Sequence, residues 1–446
     1  MSTLPPGPSS KLLSLIRYLR DPIGCMVPFA RRYGDPFSFP GKPPLVCTGD
    51  PAGIKAIYTA DPDTFAPLSA DLSVFLGQSS LLLQKGPEHR RLRRLMTPPF
   101  HGARMRAYGE AMCRLAEQHT ADWRPEQPVT VYEVAQRISL DVILQAVFGV
   151  SEPGRMAELA ALLLDLLDGI SPLIALFPSL RRELGGVGPF AAFLRRQRLV
   201  HDRLDALIAA ARAAGPREDI LSLLVEARDE DGRPMSDEEI RDQLILLVFA
   251  GHETTAISVA WAFYALHRPE NAAALERLRA ELSALGRDPE VEALDRQPYL
   301  EAVCQETLRR YPLAPAPGPR MLLRPLELMG YALPAGVGVS VAIGVAHFRE
   351  DVYPEPLRFH PERFLERKFT PFEFVPFGGG ARRCLGATMA AYEMRLLLGT
   401  ILRRYRLRLA SLRPDPGKVR AANAGPAHGV RMIVEERLAA NRQPRC

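Results

Sequence analysis

Phe377-Gly378-Gly379-Gly380-Ala381-Arg382-Arg383-Cys384-Leu385-Gly386 is the stretch that decides how this chain reads. One cysteine follows a glycine run, with an arginine two residues before it and a glycine two residues after it. A helix-forming stretch, Ala387 to Tyr405, comes directly after. Glycines without side chains let the backbone turn sharply and bring N–H groups near one sulphur. A free cysteine, with a pKa of ~8.5, is mostly a thiol at neutral pH, and a bound metal converts it to the thiolate. Hydrogen bonds to the sulphur and the positive end of the following helix temper that charge. A lone cysteine is by default a buried structural thiol. The joint pattern of Phe377, Gly380, Arg382, Cys384 and Gly386 argues against that default here.

The loop is of a kind that presents one thiolate to a haem iron, where the thiolate pushes electron density toward O–O cleavage. Arg382 is placed to pair with a haem propionate, and Gly386 lets the next helix approach the macrocycle. The segment resembles the haem-binding signature of the cytochrome P-450 superfamily, the haem-thiolate monooxygenases, in its soluble bacterial form. The resemblance runs from Pro5-Pro6-Gly7-Pro8 to the C-terminal strands. It implies a mainly α fold with a smaller β-rich region and haem b (iron protoporphyrin IX) between two long helices. One domain then spans residues 1–446, with the haem-binding loop at 377–386 and an oxygen-activating helix at about 236–266.

Composition agrees. Hydrophobic content of 47% and charge of 24% are those of a globular protein, and no linker or repeat interrupts the 446 residues. The 41 prolines cluster at the N-terminus, between Pro312 and Pro334, and from Pro354 to Pro376, which predicts short strands and coil there. Cys25, Cys47, Cys113, Cys304, Cys384 and Cys446 form no CxxC pair, which argues against zinc and against a secreted disulfide framework. A reducing cytoplasm is the simpler setting. The first residues are polar and proline-rich, and no signal peptide or membrane anchor is expected. The apolar stretch Leu244 to Leu266 has spanning length, yet His252, Glu253, Thr254 and Thr255 interrupt it. A buried helix with a functional break is predicted. The net charge of +6 comes without a basic, aromatic stripe, so nucleic acid is not expected as a partner. A basic surface suits an acidic electron donor.

Along the chain, Asp35 to Cys47 reads as strands around a turn at Gly41-Lys42-Pro43. Gly86 to His101 reads as a basic helix ending near Pro98-Pro99. Helical patterns dominate from Met105 to Arg310. Ser236-Asp237-Glu238-Glu239 has capping-box spacing and opens the long helix. A helix is predicted from Tyr299 to Arg310, strand and coil from Leu313 to Phe374, and strands between Arg406 and Val434.

Ala250-Gly251-His252-Glu253-Thr254-Thr255 combines poor helix formers with a glutamate inside an apolar stretch. From the residues alone it is either a satisfied buried polar cluster or a functional site. The resemblance implies an oxygen-binding groove here, with Glu253 and Thr254 as the catalytic acid–alcohol pair that delivers protons. His252 reads as structural or solvent-facing. Glu306 and Arg309 share a helical face. The resemblance implies that Arg363, in Pro361-Glu362-Arg363-Phe364, joins them in a buried structural triad. It also implies that His89 and Arg93, four apart in His89-Arg90-Arg91-Leu92-Arg93, bind propionates, with Arg320 reaching the second one. Phe377 and Gly378 complete the cofactor-binding loop, and Cys384 is the axial iron ligand. Arg90, Arg91 and Arg94 are either a docking face or a solvated helix.

Family topology nominates Phe75, Leu76, Leu246, Phe249, Ala250, Leu313, Ala314, Ala424 and Gly425 as pocket walls, all apolar or small. A hydrophobic substrate follows, with fatty acids or terpenoids favoured over a macrolide or steroid. The run from Phe100 to Gly109 is similar to bacterial members associated with those classes, and Leu162 to Leu180 is either an apolar lid or a plain helix pair. The reaction implied is hydroxylation or epoxidation with dioxygen and two electrons. The electrons would come from a separate ferredoxin or flavodoxin with its NAD(P)H reductase, since no reductase domain is attached. A peroxide-driven hydroxylase and a non-catalytic haem-thiolate ligand sensor are the alternatives.

Overall fold

The computed structural model describes residues 4–68, 72–100, 102, 104–170, 174, 178–183, 185–215, 217–286, 288–420 and 423–438. The chain forms two compact units. One comprises Met1–Leu68, Met112–Ile138 and Thr254–Cys446; the other comprises Ser69–Ala111 and Ser139–Glu253.

The first unit holds the sheets. Its largest has five strands in the order Phe37–Phe39, Leu45–Thr48, Gly338–Val341, Arg320–Leu322, Phe65–Pro67. The first two pair antiparallel around the predicted Gly41-Lys42-Pro43 turn, with Phe37 opposite Cys47. Leu45–Thr48 and Gly338–Val341 run parallel, with Leu45 opposite Gly338. Every residue of Gly338–Val341 is buried, as expected of a central strand covered on both faces. The helix Pro51–Thr59 starts where the Asp50 carboxylate accepts the Ala52 N–H at 2.8 Å. Its Ile54 and Ile57, three apart, enter a core with Val46, Phe65, Leu322, Val339 and Val375. A second sheet places Arg431–Arg437 between Pro128–Thr130 and Tyr405–Leu409.

The predicted helix after the cysteine loop is Ala387–Arg404, and Tyr405 opens the next strand. The helix predicted from Tyr299 is Pro298–Arg310. The stretch predicted as strand and coil also holds two short helices, Ile343–Ala346 and Arg363–Glu366. Four residues barely exceed one helical turn and leave no 3.6-residue pattern to read.

The second unit is helical. Gly86–Met96 ends before the turn Pro98–Phe100, as the prolines predict; His101 lies outside the described residues. The Leu162–Leu180 segment begins inside the helix Pro153–Asp168, and its residues 171–173 and 175–177 lie outside the described residues. The capping box forms: Glu239 N–H donates to Ser236 Oγ at 3.1 Å, and Ser236 N–H donates to Glu239 Oε2 at 2.7 Å. The helix it opens, Asp237–Leu266, runs 30 residues without a break. This differs from the predicted interruption. A Cβ at Gly251 would lie 2.8 Å from Ile143 Cδ1, so the glycine admits a close neighbour within an intact helix. Among the described residues this helix alone is long and apolar enough to cross a membrane by itself, and its apolar window is mostly buried.

Near its start, the long helix pins a loop. Ser79 N–H donates to Asp242 Oδ2 at 2.8 Å. Leu81 N–H donates to Gln243 Oε1 at 2.8 Å, and Gln243 Nε2 donates to Ser79 O at 2.7 Å. A Cβ at Gly77, whose φ is +83°, would overlap the Asp242 carboxylate. Burial pushes the Asp242 carboxyl up to about 6 despite the Ser79 bond. This exceeds the unfolded-state value, so ionising Asp242 costs stability as pH rises from about 4 to about 6. Asp242→Asn removes that cost and keeps an acceptor. The variant should gain on the order of 2 kcal/mol at pH ~8, with the gain fading toward pH ~4. Urea midpoints at the two pH values check this; a gain that ignores pH would contradict it.

Candidate active site

The cysteine loop is built on glycines for a reason visible in its neighbours. Gly378 and Gly380 have φ of +65° and +62°, where a side chain is strained. A Cβ at Gly379 would overlap the Tyr58 ring, and one at Gly380 would lie 2.5 Å from the Tyr58 carbonyl oxygen. The helix Pro51–Thr59 therefore fixes the loop's path. Gly378 N–H donates to Val375 O at 3.0 Å, Arg383 N–H to Gly380 O at 3.1 Å, and Cys384 N–H to Phe377 O at 2.9 Å. Arg382, half-buried, closes a short 3-10 turn, Gly380–Arg382.

Cys384 is exposed, whereas Cys25, Cys47 and Cys304 are buried and Cys113 is half-buried. Burial pushes the Cys25 thiol up to about 11 and Cys304 up to about 12, so these stay protonated. Two residues beyond Cys384, Gly386 caps Ala387–Arg404 with no side-chain hydrogen bond, which leaves the helix's positive end beside the cysteine.

These residues suit a haem. Among the described residues no cluster of three or more His, Cys, Asp or Glu side chains gathers as a metal site. A single thiolate suits an iron whose equatorial ligands come from a porphyrin. A Cβ at Gly386 would meet nothing within 4 Å, so the backbone leaves clear space beside the loop. Arg320 supplies a cation. Its guanidinium lies 5.8 Å from the Tyr58 ring centre and 5.5 Å from that of Phe65. Burial pulls its pKa down, and Tyr58 is the group that offsets this. Among the described residues no carboxylate contributes to its electrostatics, which suits an anion from a ligand.

Glu306, Arg309 and Arg363 come together, all buried. Arg309 Nε and Nη2 donate to the two Glu306 oxygens at 2.7 and 2.8 Å. Arg363 Nε lies 3.2 Å from Glu306 Oε2 as an ion pair, and His360 N–H donates to Glu306 Oε1 at 2.8 Å. Arg309 Nη1 also donates to His347 O and Pro356 O. The spacing of Glu306 and Arg309 resembles that of countless surface pairs. The sequence alone does not reveal that this one has no exposure.

Glu253 and Thr254 are half-buried neighbours on Asp237–Leu266. His252 is buried, and its Nδ1–H donates to Val248 O at 2.9 Å, in keeping with a structural histidine. Of the nominated pocket walls, the structure joins Leu313 and Ala424: Ala424 N–H donates to Leu313 O at 2.7 Å. Trp261 Nε1–H donates to Ala424 O at 3.3 Å, and Ile257 lies against Gly425. Ala314 is half-buried beside Leu313. In the other unit Phe75 and Leu76 are buried, with the Phe75 ring 5.2 Å from Phe193 and under Arg181. Leu246 and Phe249 are half-buried and Ala250 is exposed.

His89 is buried on Gly86–Met96, with Arg93 one turn on. Between them Arg91 departs from the docking-face reading. It pairs with Asp229 at 2.8 Å, Glu239 at 2.5 Å and Glu88 at 2.9 Å, while Arg94 pairs with Glu230. Arg91 pulls the Asp229 carboxyl down to about 2. Apart from Glu88, the partners of Arg91 lie some 140 residues away in sequence, so no local pattern announces them. Tyr58 and His347 were also invisible to sequence reading, since neither stands in a motif.

The cytochrome P-450 family model matches residues 5–422. Cytochrome P-450 135B1 of Mycobacterium tuberculosis is 37% identical over 455 residues, covering 97% of this chain and 91% of the relative. Cytochrome P-450 135A1 of the same organism is 35% identical over 453 residues, covering 98% and 96%. Among solved structures, retinoic acid bound cyanobacterial CYP120A1 matches with a TM-score of 0.83 and 27% identity, covering 98% of this chain and 100% of that one. The chain therefore belongs to the cytochrome P-450 family of haem-thiolate monooxygenases, oxidoreductases that carry haem b.

Proposed function

We propose that this monooxygenase hydroxylates or epoxidises an elongated hydrophobic molecule of the fatty acid or terpenoid class. It draws electrons from a separate ferredoxin or flavodoxin with its NAD(P)H reductase. Bound haem supplies the activation of dioxygen and the insertion of one oxygen atom, the other leaving as water. Cys384 would ligate the haem iron; Arg320, Arg382, His89 and Arg93 would hold the propionates; Phe377, Gly378 and Gly386 would shape the cradle. Residues 1–446 act as one catalytic domain in the cytoplasm, a setting favoured by the widely spaced cysteines without a CxxC pair.

The observation that carries the reading is the exposed Cys384 at the end of a loop in which Gly379 and Gly380 admit no Cβ. Thr254 orients the hydrogen bond to dioxygen, and Glu253 passes it protons from solvent. Thr254→Ala should leave the haem spectrum unchanged and cut product formed per NAD(P)H consumed by about tenfold or more. Parallel assays of product, NAD(P)H and released peroxide check this. Full coupling in the variant, or better turnover with added peroxide than with the redox chain, would favour a peroxide-driven hydroxylase.

Leu313, Ala314, Ala424 and Gly425, the nominated pocket residues, are all apolar or small, which supports an apolar substrate. The retinoic acid on the structural neighbour, an isoprenoid acid, adds weight to long acids and terpenoids. Titrating the ferric protein with saturated fatty acids, sesquiterpenes and retinoic acid tests this through the Soret band. A saturable low-spin to high-spin shift with one class identifies ligands that displace the iron-bound water. No shift with any of them would reject the substrate class.

A further inference from the structure

His347 is fully buried at the end of the Ile343–Ala346 helix and belongs to none of the motifs above. It joins two structures that do. On one side its carbonyl accepts Arg309 Nη1 at 2.9 Å, tying it to the Glu306 cluster. On the other its Nε2 accepts the Val375 N–H at 3.1 Å. Val375 O in turn accepts Gly378 N–H at 3.0 Å, and Phe377 O accepts Cys384 N–H at 2.9 Å. The His347 ring also stacks on Phe374 at 5.5 Å, and Phe374 meets Phe364, next to Arg363, at 4.8 Å. Tyr353, whose ring is edge-on to His347, donates its hydroxyl to Glu373 O at 3.2 Å. Residues 373–375, which lead into the cysteine loop, are thus held from this one side chain and its neighbours.

The imidazole supplies something that an apolar side chain would not. An amide N–H only donates, so Nε2 is the unprotonated nitrogen and Nδ1 carries the hydrogen. Nδ1 is buried and faces the backbone of Leu308 and Arg309. A phenylalanine would fill the space and keep the stack but could not accept the Val375 N–H. Burial, reinforced by the Arg309 charge, pulls the His347 pKa down to about 3, so the ring stays a neutral acceptor. We infer that His347 is a positioning residue for the Cys384 loop, registering the Val375 amide against the Glu306–Arg309–Arg363 cluster. The inference rests on Cys384 being the axial ligand.

The test compares His347→Phe, which keeps volume and stacking, with His347→Gln, whose amide oxygen restores an acceptor. The readout is the Soret position of the reduced carbon-monoxide complex, which reports an intact iron–thiolate bond, followed over time in mild denaturant. His347→Phe should lose the thiolate signal about tenfold faster than the unmodified protein, and His347→Gln within about threefold of it. A wild-type rate in His347→Phe, or a faster loss in His347→Gln than in His347→Phe, overturns the inference. Backbone amide exchange in the unmodified holoprotein serves if the phenylalanine variant does not fold. The Val375 amide should fall in the slow class, and exchange at the rate of an exposed loop overturns the inference. Cys384→Ser run alongside separates the two claims. Survival of the thiolate signal there refutes the ligand assignment, whereas its loss, with His347→Phe unchanged, refutes only the role of His347.

Discussion

Glu306→Ala should destabilise the protein by about 3–5 kcal/mol and prevent normal haem incorporation. Glu306 accepts two bonds from Arg309 and one from the His360 amide, and pairs with Arg363 at 3.2 Å. Truncation leaves two buried guanidinium groups without a counter-charge. A typical domain has only about 5–15 kcal/mol of stability, so this loss is a large part of it. Glu306→Gln keeps acceptors but not charge and should fall between. The checks are the ratio of Soret to protein absorbance after purification and the denaturant midpoint. A normal ratio with an unchanged midpoint in Glu306→Ala would remove the structural role assigned to this cluster.

Gly380→Ala should be nearly as damaging, for a different reason. The residue has φ of +62°, which costs an ordinary side chain about 1–2 kcal/mol. Its new Cβ would also lie 2.5 Å from the Tyr58 carbonyl oxygen, and a backbone atom of a packed helix has little room to yield. Overpacking of this kind costs a further ~1–3 kcal/mol. The loop must shift, and Cys384 with it. The variant is expected to bind less haem and to show a mixture of thiolate-ligated and thiolate-free carbon-monoxide complexes. Because the obstacle is Tyr58 backbone, Tyr58→Ala should not rescue it. Full thiolate ligation in Gly380→Ala would mean that the glycine is not required.

Much of the candidate site was legible because the chemistry is local. The cysteine loop lies within ten residues, and the capping box at Ser236 and Glu239 is a four-residue pattern that forms as read. The helices Gly86–Met96, Pro298–Arg310 and Ala387–Arg404 follow from apolar periodicity and proline stops. The missing parts depend on distant partners. Arg91 looks like any solvated arginine until Asp229 and Glu239 arrive from far along the chain. Gly251 reads as a helix weakness, yet it admits Ile143 into an unbroken helix. Tyr58 meets the loop through its ring and its carbonyl oxygen, and the His347 ring accepts a backbone N–H; contacts made to glycine and to backbone leave no residue signature at the other end. The parallel pairing of Leu45–Thr48 with Gly338–Val341 joins strands nearly 300 residues apart, which no local pattern could register.

The most direct test of the account is the spectrum of the reduced carbon-monoxide complex of the unmodified protein beside that of Cys384→Ser. The account predicts a thiolate-type Soret maximum in the unmodified protein and its complete loss in the serine variant, with haem still bound. A thiolate-type maximum that survives Cys384→Ser would assign the iron to another ligand and overturn the reading of the loop.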